Sequence, residues 1–162
     1  MTHRFRRSSS GIEVTLEPTE YAVLERVPAL LGSIGADRDD PASARLDPPV
    51  HPGNDKASSE FVRLAGVEVT HGRSVDAEMF GHSVAAGQAG RSLSLEAAEA
   101  WVRALGTARI ALIARSGRDF DDASFTAADR TDPNLLLVDY LGVLQEELLT
   151  VLMADVPPDG DG

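Results

Sequence analysis

The spacing of apolar residues predicts two helices in the first half of the chain. Over residues 18–34, apolar side chains return at steps of three and four, which is the spacing of an amphipathic helix, and Pro28 should kink that helix. A second helix is predicted over residues 58–86, with a break near Gly72. Residues 67–69 read Val-Glu-Val, so a brief extended stretch is the alternative there.

The second half of the chain carries clearer helix signals. Residues 95–115 are rich in Ala and Leu and follow Ser94, a residue type that accepts a hydrogen bond at a helix start. Asp132 and Pro133 form a similar signal, with Asp as the cap and Pro in the first turn. The last helix is therefore predicted over residues 134–154.

The remaining segments predict a hairpin and a connection. Residues 5–16 alternate around a Ser-Ser-Ser-Gly turn, and the hairpin they predict must lie on the helices, because an isolated hairpin is marginal in water. Residues 35–55 are rich in Asp, Pro and Gly and predict a long surface connection. We expect a mainly α fold: a bundle of about four helices with a small N-terminal β-hairpin and a long Pro-rich connection. Residues 1–154 form this single domain, and residues 155–162 form a disordered acidic tail.

The predicted last helix is apolar around most of its circumference. Its apolar arc spans roughly 220°, whereas a surface helix needs an apolar stripe only about 100° wide or somewhat more. Such a helix is covered from two sides, either at the centre of a bundle or at a seam with a second copy or another protein. The candidate interface residues are Leu137, Leu141, Leu144, Leu148 and Leu152.

Two polar residues interrupt the apolar faces of the last two predicted helices. Arg109 falls inside the stripe of the first of them, and Gln145 falls inside the arc of the second. A buried arginine is costly unless it is paired, and Glu60 borders the apolar face of the preceding helix. We therefore predict a buried network of Arg109, Glu60 and Gln145, which serves either helix register or the recognition of a ligand.

The composition narrows the classes of partner. The 162 residues include 26 acidic and 15 basic side chains, and the net charge of −11 repels nucleic acid and anionic membrane surfaces. Arg4, Arg6 and Arg7 form a basic arm, but three charges give little affinity for generic DNA at physiological salt. The chain has no cysteine, no signal peptide pattern and no apolar run that could span a bilayer. We expect a cytoplasmic protein without membrane contacts.

The motifs that mark common catalytic sites do not occur in the sequence. It contains no phosphate-binding loop, dinucleotide fingerprint, nucleophile elbow or zinc-protease helix motif. Glu78 and His82 are spaced to share a helix face, with His71 earlier, but so few ligands are more typical of a solvated surface. The aspartates at 119–122 lack the glycine and glutamate of a calcium loop. We expect no catalytic residue, no metal site and no cofactor.

Three segments of the sequence, in order, resemble a known family. Residues 45–50 with 57–64 resemble an RLLPPAY…SxEFRRL pattern, residues 101–112 resemble WLxALNDxRLxL, and residues 140–148 resemble YxWLxxLQExL. The patterns are those of an actinobacterial family of unknown function whose genes tend to lie beside that of the ClpS proteolysis adaptor. Some of its members are described as transcriptional regulators, so the resemblance implies a regulatory role.

The chain differs from these patterns at several positions, among them residues 106, 107 and 142. Gly106 and Thr107 stand where the pattern has Asn and Asp, and Gly142 stands where it has Trp. Any ligand contact that relatives make through the Asn-Asp pair is therefore not expected in this chain.

The sequence leaves three functions open. The first is a non-enzymatic intracellular regulator that acts through protein contacts in transcription or stress response, with a homodimer among those contacts. The second is an adaptor or accessory protein in ClpS-linked regulated proteolysis, which rests on the gene neighbourhood alone. The third is a small-molecule or metal-dependent enzyme, for which Arg109, Glu78 and His82 are the motivating residues.

Overall fold

The structure is a computed structural model that describes residues 3–37, 39–46, 55–117 and 131–154, and of residues 55–71 the backbone only. The described chain forms a two-stranded antiparallel hairpin followed by helices, which confirms the mainly α fold with a small N-terminal hairpin. The strands are β1 (Phe5–Ser8) and β2 (Gly11–Val14). The helices are α1 (Pro18–Leu24), α2 (Val27–Gly32), α3 (Pro41–Leu46), α4 (Asp55–Gln88), α5 (Leu95–Arg115) and α6 (Pro133–Met153).

The predicted starts of the last two helices are confirmed. The Ser94 side chain accepts a hydrogen bond of 3.0 Å from the backbone N–H of Ala97 at the start of α5. Asp132 accepts one of 2.9 Å from the N–H of Asn134 at the start of α6, and Pro133 is the first residue of that helix. Each cap satisfies a backbone donor that has no partner within the helix.

The predicted helix over residues 18–34 is two helices. The break falls at Glu25 and Arg26, between α1 and α2, and Pro28 occupies the first turn of α2. A proline in a helix interior loses a backbone hydrogen bond and clashes with the carbonyl four residues earlier, here that of Leu24. Ending α1 at that residue and restarting the helix avoids both costs.

Two other expectations about the helices are wrong. The predicted break near Gly72 and the extended alternative over 67–69 do not occur, because α4 is continuous there. One glycine costs a helix only about 1 kcal/mol, which the rest of a 34-residue helix can offset. The short helix α3 interrupts the predicted connection: the Asp40 side chain accepts a 3.0 Å hydrogen bond from the N–H of Ala42, and Pro41 begins the helix.

The hairpin lies against the start of α5, as expected. Ile12 and Leu93 exchange two backbone hydrogen bonds of 2.8 Å, which fix β2 to the segment before that helix. Gly11 has φ of +130°, and a Cβ on it would lie 2.1 Å from the Leu93 carbonyl oxygen, so this close approach requires glycine. Phe5 on β1 packs edge-on to Trp101, with ring centroids 6.2 Å apart.

Among the described residues, α5 is the central helix, and α6 packs mainly on α5 and on β1. The helix α5 packs against α2, α3, α4 and α6, whereas the principal contacts of α6 are with α5 and β1. The interpretation of α6 as the centre of the bundle is therefore wrong. The core of α5 combines the fully buried Trp101 and Leu105 with six buried alanines, and small side chains let several neighbours approach one helix closely: Ala97, Ala98, Ala100, Ala104, Ala108 and Ala111.

Some sequence predictions concern residues outside the described part of the chain. The extended Pro-rich stretch after Leu46, the acidic segment at 119–122 and the tail at 155–162 lie outside the described residues. None of the helices in the described part combines the length and the apolar character that crossing a membrane requires.

Candidate functional site

The predicted interface leucines on α6 belong to the chain's own core. Leu141, Leu144 and Leu148 are fully buried inside the folded chain. Leu137 and Leu152 are partly buried and pack against the same core. The first three are therefore unavailable to a second molecule while the chain is folded, and any contact through α6 has to use the opposite side of the helix.

That opposite side carries most of the exposed apolar surface. Of the six large apolar side chains that are exposed among the described residues, four lie on α6, and the other two are Val75 and Leu95. Three charged or polar residues lie exposed between them. We call this surface the α6 outer face: Leu136, Asp139, Val143, Glu146, Leu149, Thr150 and Met153.

A groove runs along one side of the α6 outer face, between α5 and α6. Its volume is about 360 Å³, and we call it the α5–α6 groove. It is lined by Arg109 from α5 and by six residues of α6: Asp139, Gly142, Val143, Gln145, Glu146 and Leu149. A second depression, of about 600 Å³, borders the other side of the face, where Val143 and Glu146 meet His3 and Arg4. The outer face of α6 is thus a ridge between two depressions.

Arg109 and Gln145 join α5 to α6 at the bottom of the α5–α6 groove. The Arg109 Nη1 donates a 2.9 Å hydrogen bond to the Gln145 Oε1. The Gln145 Nε2 in turn donates a 3.0 Å bond to the carbonyl oxygen of Val102. The structure therefore brings together two of the three predicted network residues, while the side chain of Glu60 lies outside the described part.

Two glycines make the space for this pair. A Cβ on Gly142 would lie 3.1 Å from three atoms of the Arg109 guanidinium, and a Cβ on Gly106 would lie 2.8 Å from the Gln145 Nε2. Both distances are shorter than an ordinary van der Waals contact. Gly106 and Gly142 are also positions where the sequence differs from the family pattern that it resembles, so these differences coincide with the room that Arg109 and Gln145 occupy.

The guanidinium of Arg109 is incompletely satisfied. Its Nε is buried and has no hydrogen-bond partner, and among the described residues no carboxylate lies within 4 Å of the group. Asp139 and Glu146 line the same groove, and neither forms an ion pair with another described residue. An unsatisfied buried donor costs about 1–3 kcal/mol, which offsets part of the stability that the hydrogen bond to Gln145 contributes.

The basic arm is used in contacts within the chain. Arg4 donates 2.8 Å and 3.0 Å hydrogen bonds to Glu20 and Glu147, which ties β1 to α1 and α6. Burial opposes ionisation of Glu20, but hydrogen bonds from the backbone of Glu17 and from Arg4 and Tyr140 outweigh it and lower the pKa of the carboxyl. Burial, reinforced by the hydrogen bond to Glu20, raises the pKa of Tyr140.

The other two arginines of the arm are also engaged. Arg7 donates to the carbonyl oxygens of Leu152 and Ala154 at 2.8 Å and 3.2 Å, at the C-terminus of α6. Carbonyl groups at that end lack partners within the helix, and the helix dipole favours a cation there. Arg6 pairs with Glu13 across the hairpin. Arg4 and Arg7 therefore fasten the hairpin to α6, and Arg6 joins the two strands of the hairpin.

Glu78 and His82, which the sequence offers as candidate metal ligands, do not form a metal site with other described side chains. The Nε2 of His82 lies 4.0 Å from a carboxylate oxygen of Glu78, and both side chains are mostly exposed. Within the described part of the chain, no group of three or more potential ligands approaches metal-binding geometry. The side chain of His71 is outside that part.

Comparison with known proteins places the chain in a family but does not indicate its function. No curated protein and no solved structure matches the sequence. A family described as a domain of unknown function, DUF2017, matches residues 2–152, which is nearly the whole chain. The chain therefore belongs to the DUF2017 family.

Proposed function

We propose that this chain is a non-enzymatic regulatory protein of the cytoplasm that acts through protein–protein contacts made by the α6 outer face. The observation that carries the proposal is the proximity of the exposed apolar side chains of α6 to Arg109 of α5, which lies within 4 Å of no carboxylate among the described residues. The resemblance to a family with members described as transcriptional regulators supports a role in transcription or stress response.

The composition of the face suits a protein interface. Met153 is 83% exposed, and Leu136, Val143 and Leu149 are each between 40% and 49% exposed. Grouped exposed apolar residues beside polar ones are typical of interaction sites, whereas apolar residues scattered singly are normal on any surface. The residues stand on one helix, which holds them in a rigid arrangement that a partner can match.

The perturbed ionisable groups support a non-enzymatic role. Strongly shifted pKa values in a cleft often mark catalytic acids and bases. Among the described residues, however, the shifted carboxylates and guanidinium groups lie in ion pairs that join elements of the fold. The hydrogen bond from Arg115 lowers the pKa of Asp40 despite some burial and links α5 to the start of α3. Arg103 similarly pairs with Asp76, which links α5 to α4.

The proposal is tested by affinity capture from cells of the native host. The bait is the full chain, either unchanged or carrying Leu149→Asp on the α6 outer face. Val75→Asp is the matched control, because Val75 is 42% exposed and Leu149 is 40% exposed, but Val75 lies on α4. We expect RNA polymerase components or another regulatory protein with the unchanged bait and the control, and their loss with Leu149→Asp.

Two outcomes would change this conclusion. Recovery of Clp components in the same pattern would favour the adaptor role in regulated proteolysis instead. An identical set of proteins with all three baits would show that the α6 outer face does not mediate contacts, and it would contradict the proposed function.

A further inference from the structure

We infer that the α6 outer face binds a second copy of this chain about a two-fold axis, so that Arg109 of each copy pairs with Glu146 of the other. The inference rests on the proposed function, because it names the partner of the same face. Among the described residues, Arg109 in the α5–α6 groove and Glu146 on the α6 outer face each form no ion pair within one chain.

The charges of the face are self-complementary. Arg109 lines the groove, donates a hydrogen bond to Gln145 and lies within 4 Å of no described carboxylate. Glu146 is exposed, lines the depressions on both sides of α6 and forms no ion pair with a described residue. The Glu146 carboxylate of one copy can therefore pair with the Arg109 guanidinium of the other.

In a two-fold symmetric dimer, the pair of Arg109 and Glu146 forms twice. In an interface between identical copies related by a two-fold axis, a contact from one residue to another is matched by the reverse contact. A single Arg109–Glu146 pairing thus occurs at two places in a dimer. A partner of a different sequence would have to supply a matching carboxylate and a matching cation independently.

The shape of the face allows the approach that this pairing needs. The ridge of α6 carries Glu146, and the α5–α6 groove beside it has Gly142 on its α6 side. The space left by the missing side chain is filled by the Arg109 guanidinium, which therefore lines the groove where the ridge of a second copy would enter. The ridge of one copy then enters the groove of the other, and Val143, Leu149 and Met153 become covered from both copies.

The overall acidity of the chain does not prevent this association. Each copy carries a net charge of −11. At physiological ionic strength the Debye length is about 8 Å, so charges far from the interface are largely screened. The arrangement of charges at the contact itself then decides whether two copies attract one another.

The test is a charge exchange read by sedimentation velocity of the full chain in about 150 mM salt. The unchanged chain should sediment as a dimer, with twice the 17.2 kDa of one chain. Arg109→Glu alone and Glu146→Arg alone each place like charges together, and each should raise the dimer Kd at least about a hundredfold. An equimolar mixture of the two variants should restore the dimer, because both pairs in the mixed dimer are again of opposite charge.

The control is Arg91→Glu, which changes the same charge at an exposed site away from α6 and should leave the dimer intact. Circular dichroism of each variant checks folding. If Arg109→Glu fails to fold, the exposed Glu146→Arg variant and the mass of the unchanged chain still decide the question.

The inference is overturned if the unchanged chain is a monomer at about 0.1 mM, a concentration at which a contact with a Kd of about 1 μM would be mostly formed. It is also overturned if both single variants remain dimeric. The chain could be a monomer and still lose its captured host protein when Leu149 is replaced by Asp. That result would contradict the dimer and leave the proposed function supported. A monomer whose captures are unaffected by that substitution would overturn both.

Discussion

The guanidinium of Arg109 lies against the backbone of Gly142, with Cζ, Nε and Nη2 each 3.1 Å from the point where a Cβ on residue 142 would be. Equal distances to three atoms of a planar group place that point over its face. The absence of a side chain at 142 is therefore what allows an arginine to lie between α5 and α6.

The effect of Gly142→Ala on the free energy of unfolding should depend on whether Arg109 is present. Glycine costs a helix interior about 1 kcal/mol relative to alanine, so Gly142→Ala should stabilise the chain by about that much once Arg109 is truncated to Ala. With Arg109 present, the gain should be smaller by at least about 0.5 kcal/mol. Urea unfolding measures both, and Gly72→Ala, which meets nothing within 4 Å, should give the same gain in both backgrounds. Equal gains at residue 142 would contradict the prediction.

Arg109→Met should change the free energy of unfolding by less than about 1 kcal/mol. The substitution removes one hydrogen bond to Gln145, but it also removes the buried Nε that has no partner, and these effects oppose one another. Denaturant unfolding in the Glu146→Arg background keeps association out of the measurement. A loss of about 3–5 kcal/mol would instead indicate a fully paired guanidinium, as in the network with Glu60 that the sequence predicts.

Glu20→Gln should remove a pH-dependent part of the stability. The pKa of Glu20 is lower in the folded chain than in the unfolded one, so the folded state favours the ionised carboxylate. Its contribution is present at neutral pH and is lost as the pH falls from about 5 through the lowered pKa. The melting temperatures of the unchanged chain and the variant should therefore differ at pH 7 and converge toward pH 3. A difference that stays constant over this range, or an equal effect of Glu78→Gln at an exposed site, would contradict it.

Arg7→Gln should weaken the end of α6. Its guanidinium donates to the carbonyl oxygens of Leu152 and Ala154, and loss of these bonds and of the favourable charge at the helix end should cost about 1 kcal/mol. Arg6→Gln is the control, because the Arg6 side chain is 72% exposed and surface pairs contribute little. Urea unfolding measures the loss, and faster amide exchange at the end of α6 should accompany it in the first variant only. Indistinguishable variants would count against the capping role of Arg7.

Generic duplex DNA should not bind at physiological salt. The net charge of −11 opposes binding, and the arm residues Arg4, Arg6 and Arg7 are each engaged within the chain. Fluorescence anisotropy with a labelled duplex in about 150 mM salt provides the measurement. Sub-micromolar binding that disappears when the three arginines are replaced by Ala would show that they leave their partners for phosphate groups.

The local sequence is enough to place the helices whose starts depend on neighbouring residues. The caps at Ser94 and Asp132 act within a few residues, so the local chain is enough to identify them. The same signal, Asp followed by Pro, stands at Asp40 and marks the unpredicted α3, so that helix was also readable from the sequence. The break between α1 and α2 follows from Pro28 in the same local way.

The relation between α5 and α6 was only partly readable from the sequence. Periodicity correctly singled out Arg109 and Gln145 as polar residues on apolar faces, and the structure joins them. Nothing in the spacing indicated that Gly106 and Gly142 leave the room for that pair, because the two glycines belong to different helices. Their role depends on how closely the helices pack.

Packing between the elements, which periodicity does not show, sets which described helix is central and which face of α6 stays exposed. The width of an apolar arc measures how much of a helix avoids water, but it does not identify the elements that cover it. The small buried alanines of α5 let several neighbours approach that helix, whereas α6 packs mainly on α5 and on β1 and leaves Leu149 and Met153 exposed. Arg4 of the arm likewise contacts Glu20 and Glu147 only when the hairpin packs on α6. Arg4 and Glu147 are 143 positions apart, so packing and not local sequence brings them together.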